Sequence, residues 1–171
     1  SDVLMRAASG TPSAIVRMIE KIATVSGGGD PRWYARGLII SMASEMSHIR
    51  AGVKIMRQIG LKIPIIPLFE QKQALDNSPA VVQQMLADPH IRASIDRHWE
   101  GHFEVMLGYS DSAKEIGVLA SRLAIAETVQ KLDHLFRHYQ VTPVFFHGSG
   151  GSVDRGGGWI QEQTAWWPLS A

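Results

Sequence analysis

Ile63-Pro64-Ile65-Ile66-Pro67-Leu68-Phe69 is a continuous apolar run that ends on the carboxylate Glu70. An apolar stretch of this length without polar alternation reads as a strand buried on both faces, the habit of parallel sheets covered by helices. Pro64 and Pro67 argue against it, because each removes a ladder donor. The flanks decide the matter. Upstream, Gly37 to Ala43 (GLIISMA) reads as another buried strand, and Ser44 to Ile59 as a helix with Met46, Ile49, Val53 and Met56 on one face, closed by Gly60.

Farther upstream, Thr11-Pro12 reads as a cap and first helical turn. Ile15, Met18, Ile19 and Ile22 mark one face of that helix, and Gly27 to Gly29 end it. Downstream, a helix is expected from about Pro79, with Ser78 as its cap and Val82, Met85 and Leu86 inward. Phe103 to Leu107 (FEVML) is the third strand. A long helix follows from about Ala113 to His138, with Ile116, Leu119, Leu123, Ala126, Leu132 and Leu135 inward, and Val144 to Phe146 begins the fourth strand.

Strands that alternate with helices predict an α/β fold with a parallel sheet covered on both faces. About four strand-helix units, rich in helix, amount to half of a (β/α)8 TIM-type barrel, which takes about 250 residues when complete. The 171-residue chain is therefore expected to be one segment, 1–171, of a larger barrel.

Composition narrows the function. A formal charge of +1 gives no broad basic field, so nucleic acid is not an expected partner and any anion site must be built from a few residues. There is no cysteine, hence no disulfide framework and no thiolate metal site. No apolar run approaches the roughly 20 residues needed to cross a bilayer, and Ser1-Asp2-Val3-Leu4 does not read as a signal peptide. The expectation is a cytoplasmic protein with no membrane contact that handles small molecules.

Chemistry in parallel α/β folds gathers at the carboxyl ends of strands. Three positions qualify: Glu70 past the second strand, Asp111 within Gly108-Tyr109-Ser110-Asp111-Ser112-Ala113-Lys114 past the third, and His147 past the fourth. Two carboxylates on neighbouring strands suit Mg²⁺ or Mn²⁺, hard cations that prefer oxygen ligands. The competing reading makes Glu70 and Asp111 helix caps or ion-pair partners. Lys114 brings a cation toward the same mouth, although an isolated lysine there is commonly a solvated surface residue.

The stretch His147-Gly148-Ser149-Gly150-Gly151-Ser152-Val153-Asp154-Arg155-Gly156-Gly157-Gly158 packs six glycines around two serines and an arginine. Glycines let backbone N–H groups close on an anion, and Arg155 offers a fork of donors for phosphate or carboxylate. His147 can donate or shuttle a proton. A flexible linker is the alternative. Neither a dinucleotide fingerprint nor a Walker loop is present, because the glycine spacing is wrong and no Gly-Lys-Ser or Gly-Lys-Thr occurs.

With these motifs in order, the chain resembles phosphoenolpyruvate carboxylase. The resemblance is carried by Pro67-Leu68-Phe69-Glu70, Asn77-Ser78-Pro79-Ala80-Val81-Val82, Gly108 to Lys114, and Phe146 to Gly157, and covers roughly Ile39 to Gly158. It implies a segment of the catalytic barrel of a carbon-fixing lyase. Such an enzyme joins bicarbonate to phosphoenolpyruvate, giving oxaloacetate and inorganic phosphate with Mg²⁺ or Mn²⁺, and feeds the tricarboxylic acid cycle. By the same resemblance the metal carboxylates fall on Glu70 and Asp111, the lysine implicated in bicarbonate binding on Lys114, the substrate histidine on His147, and the arginine closing the glycine loop on Arg155. Gly148, Ser149, Gly150 and Gly151 would line the phosphate, and the complete enzyme would be a homo-oligomer, a tetramer.

Two departures stand out. Ser149 replaces an arginine of the long bacterial and plant enzymes, and the run Trp159 to Trp167 looks closer to the shorter archaeal-type form. The family's upstream catalytic histidine and arginine and its later phosphate-binding arginines have no place here, so this segment alone is expected to be inactive. A non-catalytic phosphate or phosphoenolpyruvate-binding module from a degenerate relative is the alternative, and an interaction domain using Trp166-Trp167 is a third reading. His134 and His138, one helical turn apart, read as C-terminal helix residues rather than metal ligands.

Overall fold

The computed structural model describes residues 14–41, 43, 45–108, 114 and 116–147. Helix α1 (Ala14–Ser26) leads through a short 3-10 turn (Pro31–Trp33) to β1 (Leu38–Ile40), α2 (Met46–Ile59) and β2 (Ile65–Phe69). Then come α3 (Lys72–Ala87), α4 (Pro89–His98), β3 (His102–Leu107), α5 (Val118–His138) and β4 (Thr142–His147). The four strands form one parallel sheet in the spatial order β1-β2-β3-β4. That order, each strand beside its predecessor, is compatible with an arc of a barrel.

The prolines of β2 are accommodated by a division of the ladder. Ile65, Ile66 and Pro67 pair with Leu38, Ile39 and Ile40, and pairing with β3 takes over at Leu68 and Phe69, opposite Met106 and Leu107. Pro64, just outside the strand, still contributes its carbonyl, which accepts from the Leu38 N–H at 2.7 Å. Upstream, Asp30 caps the 3-10 turn, and Arg32 bridges Asp30 and Glu100 at 2.7 Å each. Hydrogen bonds from the Arg32 side chain and amide hold the Asp30 carboxyl below the usual carboxylate range.

Several expectations need correction. Helix α3 starts at Lys72, not near Pro79, and Pro79 lies inside it. Pro79 has no N–H for the Leu75 carbonyl, but the hydroxyl of fully buried Ser78 donates to that oxygen at 2.7 Å. Ser78 is thus a repair within the helix rather than its cap. Helix α4 was not anticipated, although Asp88-Pro89 spells its start: the Asp88 carboxylate accepts from the His90 and Ile91 N–H groups, with proline in the first turn.

The inward face of α5 also differs. Leu119 and Leu123 are 72% and 58% exposed, while Ser121, Ile125, Thr128, Val129, Leu132 and Phe136 are buried. Small hydroxyl residues can be buried when they are satisfied locally, as Thr128 is by donating to the Ala124 carbonyl at 2.8 Å. On α1, Ile19 is buried but Ile15 and Met18 are about half exposed; Thr11 and Pro12 lie outside the described residues.

Finally, the sheet is not covered equally on both faces among the described residues. On β3, Phe103, Val105 and Leu107 are fully buried, whereas His102, Glu104 and Met106 are exposed or half-buried. The buried face meets the helices: Phe136 of α5 packs on Phe103 of β3 at 5.3 Å and on Phe145 of β4 at 6.1 Å between ring centres, and α5 packs against α3. Burying each such aromatic stabilises by about 1.5–3 kcal/mol. Strands β2 and β3 and helix α2 lie near where the sequence placed them, whereas β1 is shorter than expected and β4 starts earlier, at Thr142; Gly60 ends α2 in the left-handed conformation at φ 76°.

Candidate active site

The carboxyl ends of β2, β3 and β4 lie side by side. Phe69 pairs with Leu107, and Leu107 with His147, so the residues that leave the sheet there emerge from three adjacent strands. Glu70 is the first residue past β2 and is half-buried. Among the described residues its carboxylate has neither an ion-pair nor a hydrogen-bond partner, and Gln71, not Glu70, is the N-cap of α3. Among the described residues, the reading of Glu70 as a cap or ion-pair partner therefore has no counterpart.

Gly108, the first residue past β3, donates its N–H to the Phe69 carbonyl at 2.8 Å. A Cβ added to Gly108 would lie 2.7 Å from the Glu70 Cα, closer than real contacts allow. Only glycine lets the backbone leaving β3 run against Glu70. The signal was visible in the sequence, a glycine at a strand end that marks close backbone approach.

Lys114 is exposed, and His147 is the last residue of β4 rather than the first beyond it. Asp111, Gly148, Ser149, Gly150, Gly151 and Arg155 lie outside the described residues, as do Trp166 and Trp167. The structure thus brings Glu70 and the His147 backbone to one edge. Among the described residues no three carboxylate or imidazole groups gather to hold a metal. A half-buried carboxylate at a strand end, with no partner among the described residues, suits a hard cation as one ligand of a set completed by its neighbours. His134 and His138 are exposed on α5, in keeping with a surface role.

A feature missed in the sequence lies on the other face of the sheet. Arg36, just before β1, reaches Glu104 of β3 at 3.0 Å, and its guanidinium lies 5.8 Å from the Phe146 ring of β4. The Glu104 side chain is only 11% exposed, and its Oε2 is buried with no hydrogen-bond partner among the described residues. A charged residue inside the apolar stretch FEVML was the signal.

No helix among the described residues is long and apolar enough to cross a membrane. Comparison with known proteins gives a consistent result. The family model for phosphoenolpyruvate carboxylase matches residues 8–164. Phosphoenolpyruvate carboxylases of Pseudomonas syringae pv. tomato and Pseudomonas entomophila are 40% identical to this chain over 122 residues, and that of Pseudomonas paraeruginosa is 38% identical over the same length. The aligned stretch covers 70% of this chain but only 13–14% of those proteins. The run 159–167, on which the archaeal-type resemblance rests, lies outside the described residues. With a family match over nearly its whole length, the chain belongs to the phosphoenolpyruvate carboxylase family.

Proposed function

We propose that residues 1–171 are one segment of a (β/α)8 catalytic barrel in a metal-dependent carboxy-lyase that converts phosphoenolpyruvate and bicarbonate to oxaloacetate and inorganic phosphate. The observation that carries this reading is the Glu70 carboxylate at the end of β2, without a partner among the described residues and held against Gly108 at the strand edge that leads to Asp111. Family membership supports the reaction class.

In this reading Glu70 and Asp111 hold Mg²⁺ or Mn²⁺, which supplies positive charge to the phosphate and enolate oxygens. The amides of Gly148, Ser149, Gly150 and Gly151 and the guanidinium of Arg155 hold the phosphate. Lys114 holds bicarbonate near the phosphorus, and His147 offers a proton donor at the substrate. Bicarbonate oxygen attacks phosphorus and the enolate leaves; the carboxyphosphate then releases CO₂, which the enolate carbon takes up. Excluding water keeps the enolate from being protonated to pyruvate.

The same reading places the complete protein in the cytoplasm as a homo-oligomer, a tetramer, that supplies oxaloacetate to the tricarboxylic acid cycle. Ser149, where the long enzymes carry arginine, favours a second reading: a binding module that has lost catalysis. Oxaloacetate formation by the full-length protein, coupled to NADH oxidation, separates the two. Activity that requires phosphoenolpyruvate, bicarbonate and metal together supports the lyase. Phosphoenolpyruvate binding without turnover supports the module.

A further inference from the structure

A cavity of about 230 Å³ opens where the C-terminal end of α2, the chain leading into β2, and α4 meet. Buried Met56, Ile91 and Trp99 give it apolar walls. Arg57, Lys62, His98 and the hydroxyl residue Ser94 also line it, and among the described residues no carboxylate does. Arg57 and Lys62 are exposed, and among the described residues neither has an acidic partner.

An apolar recess whose charged lining, among the described residues, is basic selects a ligand with an apolar body and a negative end. A cavity of this size suits a small molecule. We propose that this cavity binds a small amphipathic carboxylate, with its hydrocarbon part against Trp99, Ile91 and Met56 and its charge toward Arg57 and Lys62. Ile65, which lines the cavity, opens β2, and Glu70 follows that strand's last residue. At roughly 3.3 Å per residue the two ends are roughly 16 Å apart, so the occupant does not overlap the mouth at Glu70.

The test is calorimetric titration of the full-length protein with 3-phenylpropionate and with its uncharged amide. Saturable binding of the acid is expected, with the amide and the Arg57→Gln/Lys62→Gln variant each weaker by about tenfold or more, the scale of a lost charge-assisted contact. Saturating phosphoenolpyruvate should leave the affinity unchanged. Both substitutions are at exposed positions, so the variant's circular dichroism should match the parent's. Absence of saturable binding, equal binding by a folded double variant, or displacement by phosphoenolpyruvate would each overturn the proposal.

Discussion

The Cα of Glu70 lies 2.7 Å from the point that a Cβ on Gly108 would occupy, so the side chain missing at one strand end fixes the position of the carboxylate at the next. Gly108→Ala should force β3 away from β2 and stretch the bond from residue 108 to the Phe69 carbonyl. Overpacking of this kind costs about 1–3 kcal/mol. Amide exchange at residues 105–108, read by mass spectrometry on the full-length protein, should accelerate by roughly tenfold or more. Unchanged exchange would show that the strand ends can part without strain.

Glu70→Gln keeps the size of the side chain and removes its charge. Because no described partner depends on that charge, the fold should persist and circular dichroism should not change. If Glu70 ligates the metal as proposed, its loss should exceed the roughly 10–100-fold cost of losing an outer-shell contact. Titrating oxaloacetate formation with Mn²⁺ should show a raised activation constant and a fall in kcat/KM of more than about 100-fold. Retained metal-dependent activity would remove Glu70 from the site.

Inside α3, Ser78→Ala should leave the Leu75 carbonyl without a donor in a buried setting, at a cost of about 1–3 kcal/mol. Adding Pro79→Ala restores a backbone N–H to the same oxygen, so the double variant should recover protection lost in the single one. Hydrogen exchange across α3 reads both. A double variant no better than Ser78→Ala would refute the repair.

The pair between β1's approach and β3 makes a different prediction. Arg36→Gln leaves a carboxylate that is nearly buried, whereas Arg36→Gln with Glu104→Gln leaves no charge behind. Stranding a buried charge is more costly than removing both members of a pair. The single variant should therefore unfold at a lower temperature than the double variant in matched thermal scans of the full-length protein. The reverse order would mean that solvent reaches Glu104 freely.

Much of the strand layout was readable because a buried parallel strand needs an apolar run: Ile63–Phe69 supplies an uninterrupted one, and Phe103–Leu107 one broken only by Glu104. Glu70 was readable because a carboxylate directly after such a run is carried to the strand's carboxyl edge. Helix starts were less legible. Pro79 looks like a first-turn residue, and nothing local reveals that the Ser78 hydroxyl can replace its missing N–H. Asp88-Pro89 did carry the signal for α4, in a cap followed by a first-turn proline.

By itself the sequence determined the alternation of strands and helices, the family, and the residue types at the strand ends, because these depend on local order along the chain. Only the tertiary structure decided which side of α5 is buried, where β2 passes its pairing from β1 to β3, and that Arg36 meets Glu104 across the sheet. Those relations join residues far apart in sequence, and their outcome depends on shape and on how each polar group is satisfied when neighbours pack. Hydrophobic spacing carries neither quantity.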